Sequence, residues 1–266
     1  MKRSGAKLGQ HFLKNAYYAH LLAQSLHANP GETILEIGPG KGMLTRELLK
    51  TGANIIAIEK DAELLPILES VFEEEIKTGK LKIVMQDIRE VTPESLDLHS
   101  GTYTLGANIP YYITGEIIRR FLSTPAQPRT ISILIQKEVA QRIVSAKESL
   151  LSLSVKAYGT PKIISKVAAG NFFPAPQVDS AILTIENISQ DLFKDISEEL
   201  FFEVLHAGFA SKRKQLLNNL GEKYGKEIIL KVFEKCGIDA KSRAETLPIN
   251  KWIEITKEVM TNSYSA

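Results

Sequence analysis

The residues of this chain best suited to chemistry are Asn108-Ile109-Pro110-Tyr111. The Asn108 side-chain oxygen and the Ile109 carbonyl are paired acceptors that can take the two hydrogens of an amine. Pro110 stiffens the segment and removes a competing N–H, and the Tyr111 ring offers a plate for a planar base. Such a set fits an exocyclic amine on a heteroaromatic ring, whose delocalised lone pair must be localised before it can react. Upstream, Glu36-Ile37-Gly38-Pro39-Gly40-Lys41-Gly42 is a glycine-rich loop that lets backbone approach a nucleotide-like cofactor. Alone it would be only a turn. Its glycines alternate and position 43 is Met, so it departs from the G-x-G-x-x-G of dinucleotide-binding loops. Glu36 suits a cationic amino-acid end, such as that of S-adenosylmethionine, better than a pyrophosphate. Glu59 then suits ribose hydroxyls, and Asp87-Ile88 suits an adenine, with Asp87 accepting from its amine. Acidic residues at three successive strand ends, with Asn-Ile-Pro-Tyr at the fourth, make one site.

The elements that must position these residues alternate along the chain. Short β-branched runs at Thr33–Ile37, Asn54–Ile58, Lys82–Met85, Tyr103–Ala107, Thr130–Ile135, Ile163–Ala168 and Ala181–Ile185 are predicted strands. Helical patterns lie near 14–27, 42–51, 61–77, 114–123 and 137–146. This rhythm predicts a mostly parallel, doubly wound seven-stranded sheet whose last two strands pair as a hairpin, the Rossmann-like architecture of class I S-adenosylmethionine-dependent methyltransferases. Ligand loops then share one edge. Beyond about residue 190 only helical periods remain, at 197–209, 211–220, 224–235 and 248–260, with breaks at Gly221, Gly237 and Pro248. The predicted organisation is a basic N-terminal segment and first helix (1–30), a doubly wound domain of the methyltransferase type (31–188) and a small all-helical domain (189–266), to which the basic cluster and the resemblance described below assign RNA recognition.

With 266 residues, 44% of them apolar, the chain has the composition of a soluble globular protein. It has no run long enough for a membrane span and no secretory leader pattern. The single cysteine, Cys236, can form neither an internal disulfide nor a metal cluster, which predicts a reducing, cytoplasmic setting and no metal. Net charge is only +2, but its distribution is uneven. Lys2, Arg3, Lys7 and Lys14 form one basic cluster and Lys212-Arg213-Lys214 another, the latter expected on a helix, while 59–98 are rich in Asp and Glu. The two clusters are the expected phosphate contacts of an RNA-binding face, although each alone would pass for a solvated surface.

Six segments carry a family resemblance. Gly9–Leu13 (GQHFL), Glu36–Gly42, Asn108–Thr114 (NIPYYIT), Phe172–Ser180 (FFPAPQVDS), Gly208–Leu216 (GFASKRKQL) and Arg243–Leu247 (RAETL) are similar to the motifs of the ribosomal RNA adenine N6-dimethyltransferases. The last segment is similar to the KsgA (RsmA) branch, which acts on small-subunit RNA. The resemblance implies S-adenosylmethionine as donor and dimethylation of two adjacent adenosines in the 3′-terminal hairpin of 16S ribosomal RNA, in the 30S subunit or its precursor; a monomer is expected. It implies cofactor contacts at His11, Leu13, Gly38, Glu59, Asp87 and Asn108. His11 stands where many members have Asn; its alternative reading is a cap on the following helix. Phe172 is read with Tyr111 as sandwiching a flipped base, the alternative being a core aromatic between two strands. Competing functions are a resistance methylase acting on 23S RNA, a non-catalytic assembly factor using the same surface, and a dinucleotide-dependent oxidoreductase, disfavoured by the glycine spacing.

Overall fold

A computed structural model describes residues 11–263; Lys2, Arg3 and Lys7 lie outside the described residues. Strands β1 (Thr33–Ile37), β2 (Asn54–Glu59), β3 (Leu81–Met85), β4 (Tyr103–Ala107), β5 (Ile131–Gln136), β6 (Thr160–Val167) and β7 (Ser180–Glu186) form one sheet in the order β3-β2-β1-β4-β5-β7-β6. The first five are parallel, and β7 runs antiparallel to both neighbours. The predicted class I sheet and its terminal hairpin are present. Strand β4 is buried at every position, which is why it reads as a continuous small and apolar run rather than an alternation.

Register explains why distant motifs meet. Ile37 is level with Ile58 on one side and Ala107 on the other, and Ile58 is level with Val84. The loops after β1, β2, β3 and β4 therefore leave the sheet at one edge. Helix α1 (Ala16–Ser25) precedes the sheet, and α2 (Met43–Leu49), α3 (Leu65–Val71), α4 (Glu73–Lys77), α5 (Tyr111–Ser123) and α6 (Lys137–Val144) lie in its connections. The continuous helix predicted at 61–77 is instead α3 and α4, divided at Phe72, whose φ of −121° and ψ of 31° leave the helical region. That turn buries the Phe72 ring against the glycine loop, where a Cβ on Gly42 would be 2.3 Å from it.

The chain forms two compact units. One holds the described residues up to Gln141 together with Gly159–Ile188; the other holds Arg142–Tyr158 with Ser189 onward. The second unit thus takes in a stretch that the sequence pattern assigns to 31–188. It contains α7 (Leu150–Lys156), α8 (Glu198–Gly208), α9 (Leu216–Tyr224), α10 (Lys226–Cys236) and α11 (Ile249–Ser263) around Phe201, Phe233 and Trp252. Helix α7 is too short to show a helical period and rests on a capping box between Ser149 and Ser152. The preceding residues are tied to the Arg243–Leu247 segment: Glu148 N–H donates to the Glu245 carbonyl at 2.9 Å, and Lys147 pairs with the Glu245 carboxylate at 3.0 Å.

Two expectations for this unit are corrected. Residues 211–215 are a turn rather than the start of a helix, because Asn219 donates its side-chain amide to the carbonyls of Gly208 (2.6 Å) and Ser211 (3.0 Å) and holds the chain open there. The break expected at Gly221 falls at Gly225, whose φ of +88° ends α9, while Gly221 stays within the helix. No helix of the described residues is long and apolar enough to cross a membrane.

Candidate active site

At the shared edge of the sheet lies a cavity of about 490 Å³, the size of a small-ligand site. Its wall includes Gly38, Glu59, Asp87, Ile88, Asn108 and Ile109. His11, Leu13 and Lys14 border it from the N-terminal side. Loops expected from sequence to cooperate are thus brought together.

Glu59 ends β2 and has its carboxylate held by backbone. One oxygen accepts from the Lys60 and Asp61 N–H groups, both at 2.9 Å, and the other from Gly40 N–H at 3.1 Å. The carboxylate therefore fixes the glycine loop and keeps capacity for further donors. Gly38 has a φ of +70°, and a Cβ there would stand 3.1 Å from Ile109 Cγ2 and 3.6 Å from the Asn108 carbonyl oxygen. Only glycine lets the two loops approach so closely. Asn108 lies in the cavity wall, and its side chain makes no hydrogen bond among the described residues.

Asp87 is ionised and oriented. Both its oxygens bind Arg89, one accepting from Nε at 3.0 Å and the other from Nη2 at 2.5 Å, and these charge-assisted bonds hold its carboxyl well below the usual carboxylate range. Arg120, on α5, donates to the carbonyls of Ile88 (2.8 Å) and Val91 (2.6 Å) and so pins the loop that carries Asp87 and Ile88. Neither arginine is evident from sequence, since nothing in the spacing of 89 or 120 from the motifs signals a contact.

The N-terminal segment is strapped to the FFPAP loop. Phe12–Leu13 pairs antiparallel with Phe172–Phe173, Lys14 N–H donates to the Asn171 carbonyl at 2.8 Å, and His11 Nδ1 lies 2.7 Å from the Pro174 carbonyl. A carbonyl only accepts, so the proton sits on Nδ1. The His11 ring stacks on Tyr111 with centroids 5.8 Å apart and planes at 26°, and the Tyr111 hydroxyl meets Ser180 Oγ at 2.6 Å. Tyr111 stands beside the cavity rather than in its wall.

Two site expectations are corrected. Phe172 is 2% exposed and belongs to the core around Leu22, Leu134 and Ile182, so its ring is not available to a base. The neighbouring Phe173 is 66% exposed and lines the cavity. Glu36 does not face the cavity either. It is fully buried, and alternation along β1 turns its side chain to the face opposite that of Ile37, which does line the cavity. Burial, with the Glu59 charge adding to it, pushes the Glu36 carboxyl up to about 8; the hydroxyl and amide of Thr45 work against this but leave neither oxygen in a well-formed hydrogen bond.

Glu36 has a consequence for stability. The native state keeps a proton that the unfolded chain releases above its ordinary value of 4.5, so stability declines as pH rises from there toward about 8. Glu36→Gln is expected to flatten that decline. Thermal melts of both proteins across this window check it, and equal slopes would remove Glu36 as the cause.

The cavity fits the cofactor implied by the resemblance: a glycine cradle that a Cβ would fill, an acceptor carboxylate and a second, arginine-held carboxylate beside apolar Ile88. Comparison with known proteins agrees. The model of the family "Ribosomal RNA adenine dimethylase" matches residues 1–261. A protein named Ribosomal RNA small subunit methyltransferase A from Dehalococcoides mccartyi is 38% identical over 96% of this chain and 88% of its own length. One of the same name from Clostridium botulinum is 36% identical over 92% and 90%. Among solved structures, a dimethyladenosine transferase from Plasmodium falciparum shares the fold with a TM-score of 0.80 at 22% identity, over 95% of this chain and 98% of that one. The 23S rRNA methyltransferase ErmE does so at 0.76 and 22%, over 94% and 99%. With the family matched over nearly the whole sequence, this chain belongs to the ribosomal RNA adenine dimethylases.

Proposed function

We propose that the protein transfers methyl groups to N6 of two adjacent adenosines in the 3′-terminal hairpin of 16S ribosomal RNA, acting on the small subunit or its precursor in the cytoplasm. The observation that carries this reading is Asn108, whose amide is unengaged among the described residues and which shares a cavity wall with the glycine loop and Glu59. S-adenosylmethionine, when bound, supplies a methyl group already activated on a sulfonium. The chain's own residues then need to place the acceptor rather than act as acid or base. Gly38 and Gly40 would hold the cofactor's backbone-facing side, Glu59 its ribose hydroxyls, and Asp87 with Ile88 its adenine. Asn108 Oδ1 and the Ile109 carbonyl would accept the amine hydrogens of the target base and turn its lone pair toward the methyl. A flipped adenine needs apolar flanks. Phe173 and the half-buried Tyr111 supply them, with Phe173 taking the place expected for Phe172.

Transfer of tritiated methyl groups to unmodified small subunits, large subunits and naked 16S RNA tests this reading. Small subunits should yield labelled N6,N6-dimethyladenosine; label confined to large subunits would overturn it. Particle binding is expected to involve the 211–215 turn. Lys212 and Arg213 are exposed there and make no ion pair among the described residues, whereas Lys214 is engaged by Glu222. Lys212→Ala/Arg213→Ala should lower the log–log salt slope of small-subunit binding by roughly 1.5, at about 0.7 to 0.9 per phosphate contact, and leave cofactor affinity unchanged. Lys214→Ala should change the slope little. An unaltered slope in the double variant would exclude the turn from the RNA face.

A further inference from the structure

Tyr112 has no part in the reading above, yet it is among the most exposed large apolar residues described, with 65% of its surface open. It follows Tyr111 at the start of α5, where successive side chains diverge by about 100°. Tyr111 is turned into the structure by Ser180 and His11, while Tyr112 makes no hydrogen bond and no ring contact among the described residues. An aromatic ring left in water on a rigid helix start, two residues from the cavity-lining Pro110, is poorly explained by packing. The rim beside it is polar and nearly balanced in charge. The half-exposed guanidinium of Arg89 lies within electrostatic reach of the Tyr112 hydroxyl and is anchored by Asp87, itself in the cavity wall. Glu116 is also within electrostatic reach of Arg89, so this rim has little net positive charge and suits a base better than a phosphate.

We propose that Tyr112 is the stacking platform for the nucleotide that flanks the target adenosine, a positioning residue that holds the second of the two adjacent adenosines while the first is in the pocket. The inference rests on the RNA adenosine reading of the site. Flipping a base out of a hairpin loop strips its neighbour of one stacking partner, and an exposed aromatic beside the acceptor loop replaces it. Stacking on an aromatic is indifferent to base identity, so Tyr112 would set register and order of modification rather than choose adenine.

Tyr112→Ala, Tyr112→Phe and Tyr112→Leu, assayed on unmodified small subunits with cofactor affinity measured alongside, test the proposal. The Ala and Leu variants should raise KM for the particle roughly tenfold to a hundredfold, the range of one lost base stack, with kcat for the first transfer little changed. They should also increase the share of RNA modified at only one of the two adenosines. Phe should restore both values, because the ring and not the hydroxyl acts. Leu behaving as Phe, or Ala leaving KM and the product ratio at wild-type values, would overturn the proposal. Wild-type protein that labels no small subunit would instead fell the underlying reading, and the proposal with it.

Discussion

Asn108→Ala is expected to lower single-turnover methyl transfer by two to three orders of magnitude while leaving the fold intact. One oriented group at a reacting centre is typically worth about 3 kcal/mol, since its alignment is fixed before the reaction and it acts where charge develops. Two features make the separation from stability clean. The Asn108 side chain makes no hydrogen bond among the described residues, so its removal orphans no partner. The loop is held without it, by Ile109 packed 5% exposed against Gly38 and by the preceding buried strand. Melting temperature and particle binding should therefore stay near wild-type values, with a modest fall in cofactor affinity. Asn108→Asp, which retains an acceptor oxygen at the same place, should recover part of the rate. Near wild-type transfer by the Ala variant would show that the amine hydrogens are received elsewhere.

The parts of this site legible in the sequence are those where chemistry and chain position coincide. Each of these strand ends bears its candidate residue at or just after a recognisable apolar run, so Glu59, Asp87 and Asn108 fall at the sheet edge whatever the helices do. Phe172 shows where this reasoning stops. In a strand of two residues, facing alternates with each step, and pairing of Leu13 with Phe172 sends both to the core while Phe12 and Phe173 face the other way. Two consecutive phenylalanines contain nothing that fixes this parity; the partner strand, at the other end of the domain, does. The Lys212–Lys214 run misled for a related reason. Its residues are compatible with a helix, and the turn is imposed by Asn219, whose side-chain NH2 donates to the carbonyls of Gly208 and Ser211. Arg89 and Arg120 escape notice because a guanidinium reaching a carboxylate or carbonyl leaves no periodic trace. Glu36 is the instructive inversion: the residue that looks most like a cofactor ligand is buried with its oxygens poorly satisfied, one position short of the edge.

Glu59→Ala should weaken binding of S-adenosylmethionine by roughly 1.5 to 3 kcal/mol, because a charged acceptor to hydroxyls is lost. Yet its three backbone donors complicate any simple interpretation. Without the carboxylate, the N–H groups of Gly40, Lys60 and Asp61 lose their acceptor, and the glycine loop loses the bond that ties it to the end of β2. Glu59→Gln separates the two effects only in part: its oxygen can serve Lys60 and Asp61, but its NH2 then meets the Gly40 donor. A cycle that varies the ligand as well resolves them. Calorimetry with the cofactor and with an analogue lacking both ribose hydroxyls, each against wild type and Glu59→Ala, gives four affinities. If Glu59 holds the ribose, the substitution should cost much less with the deoxygenated analogue than with the complete cofactor. Equal losses for both ligands would mean that Glu59 acts solely by shaping the loop, and the ribose contact would have to be sought elsewhere on the cavity wall.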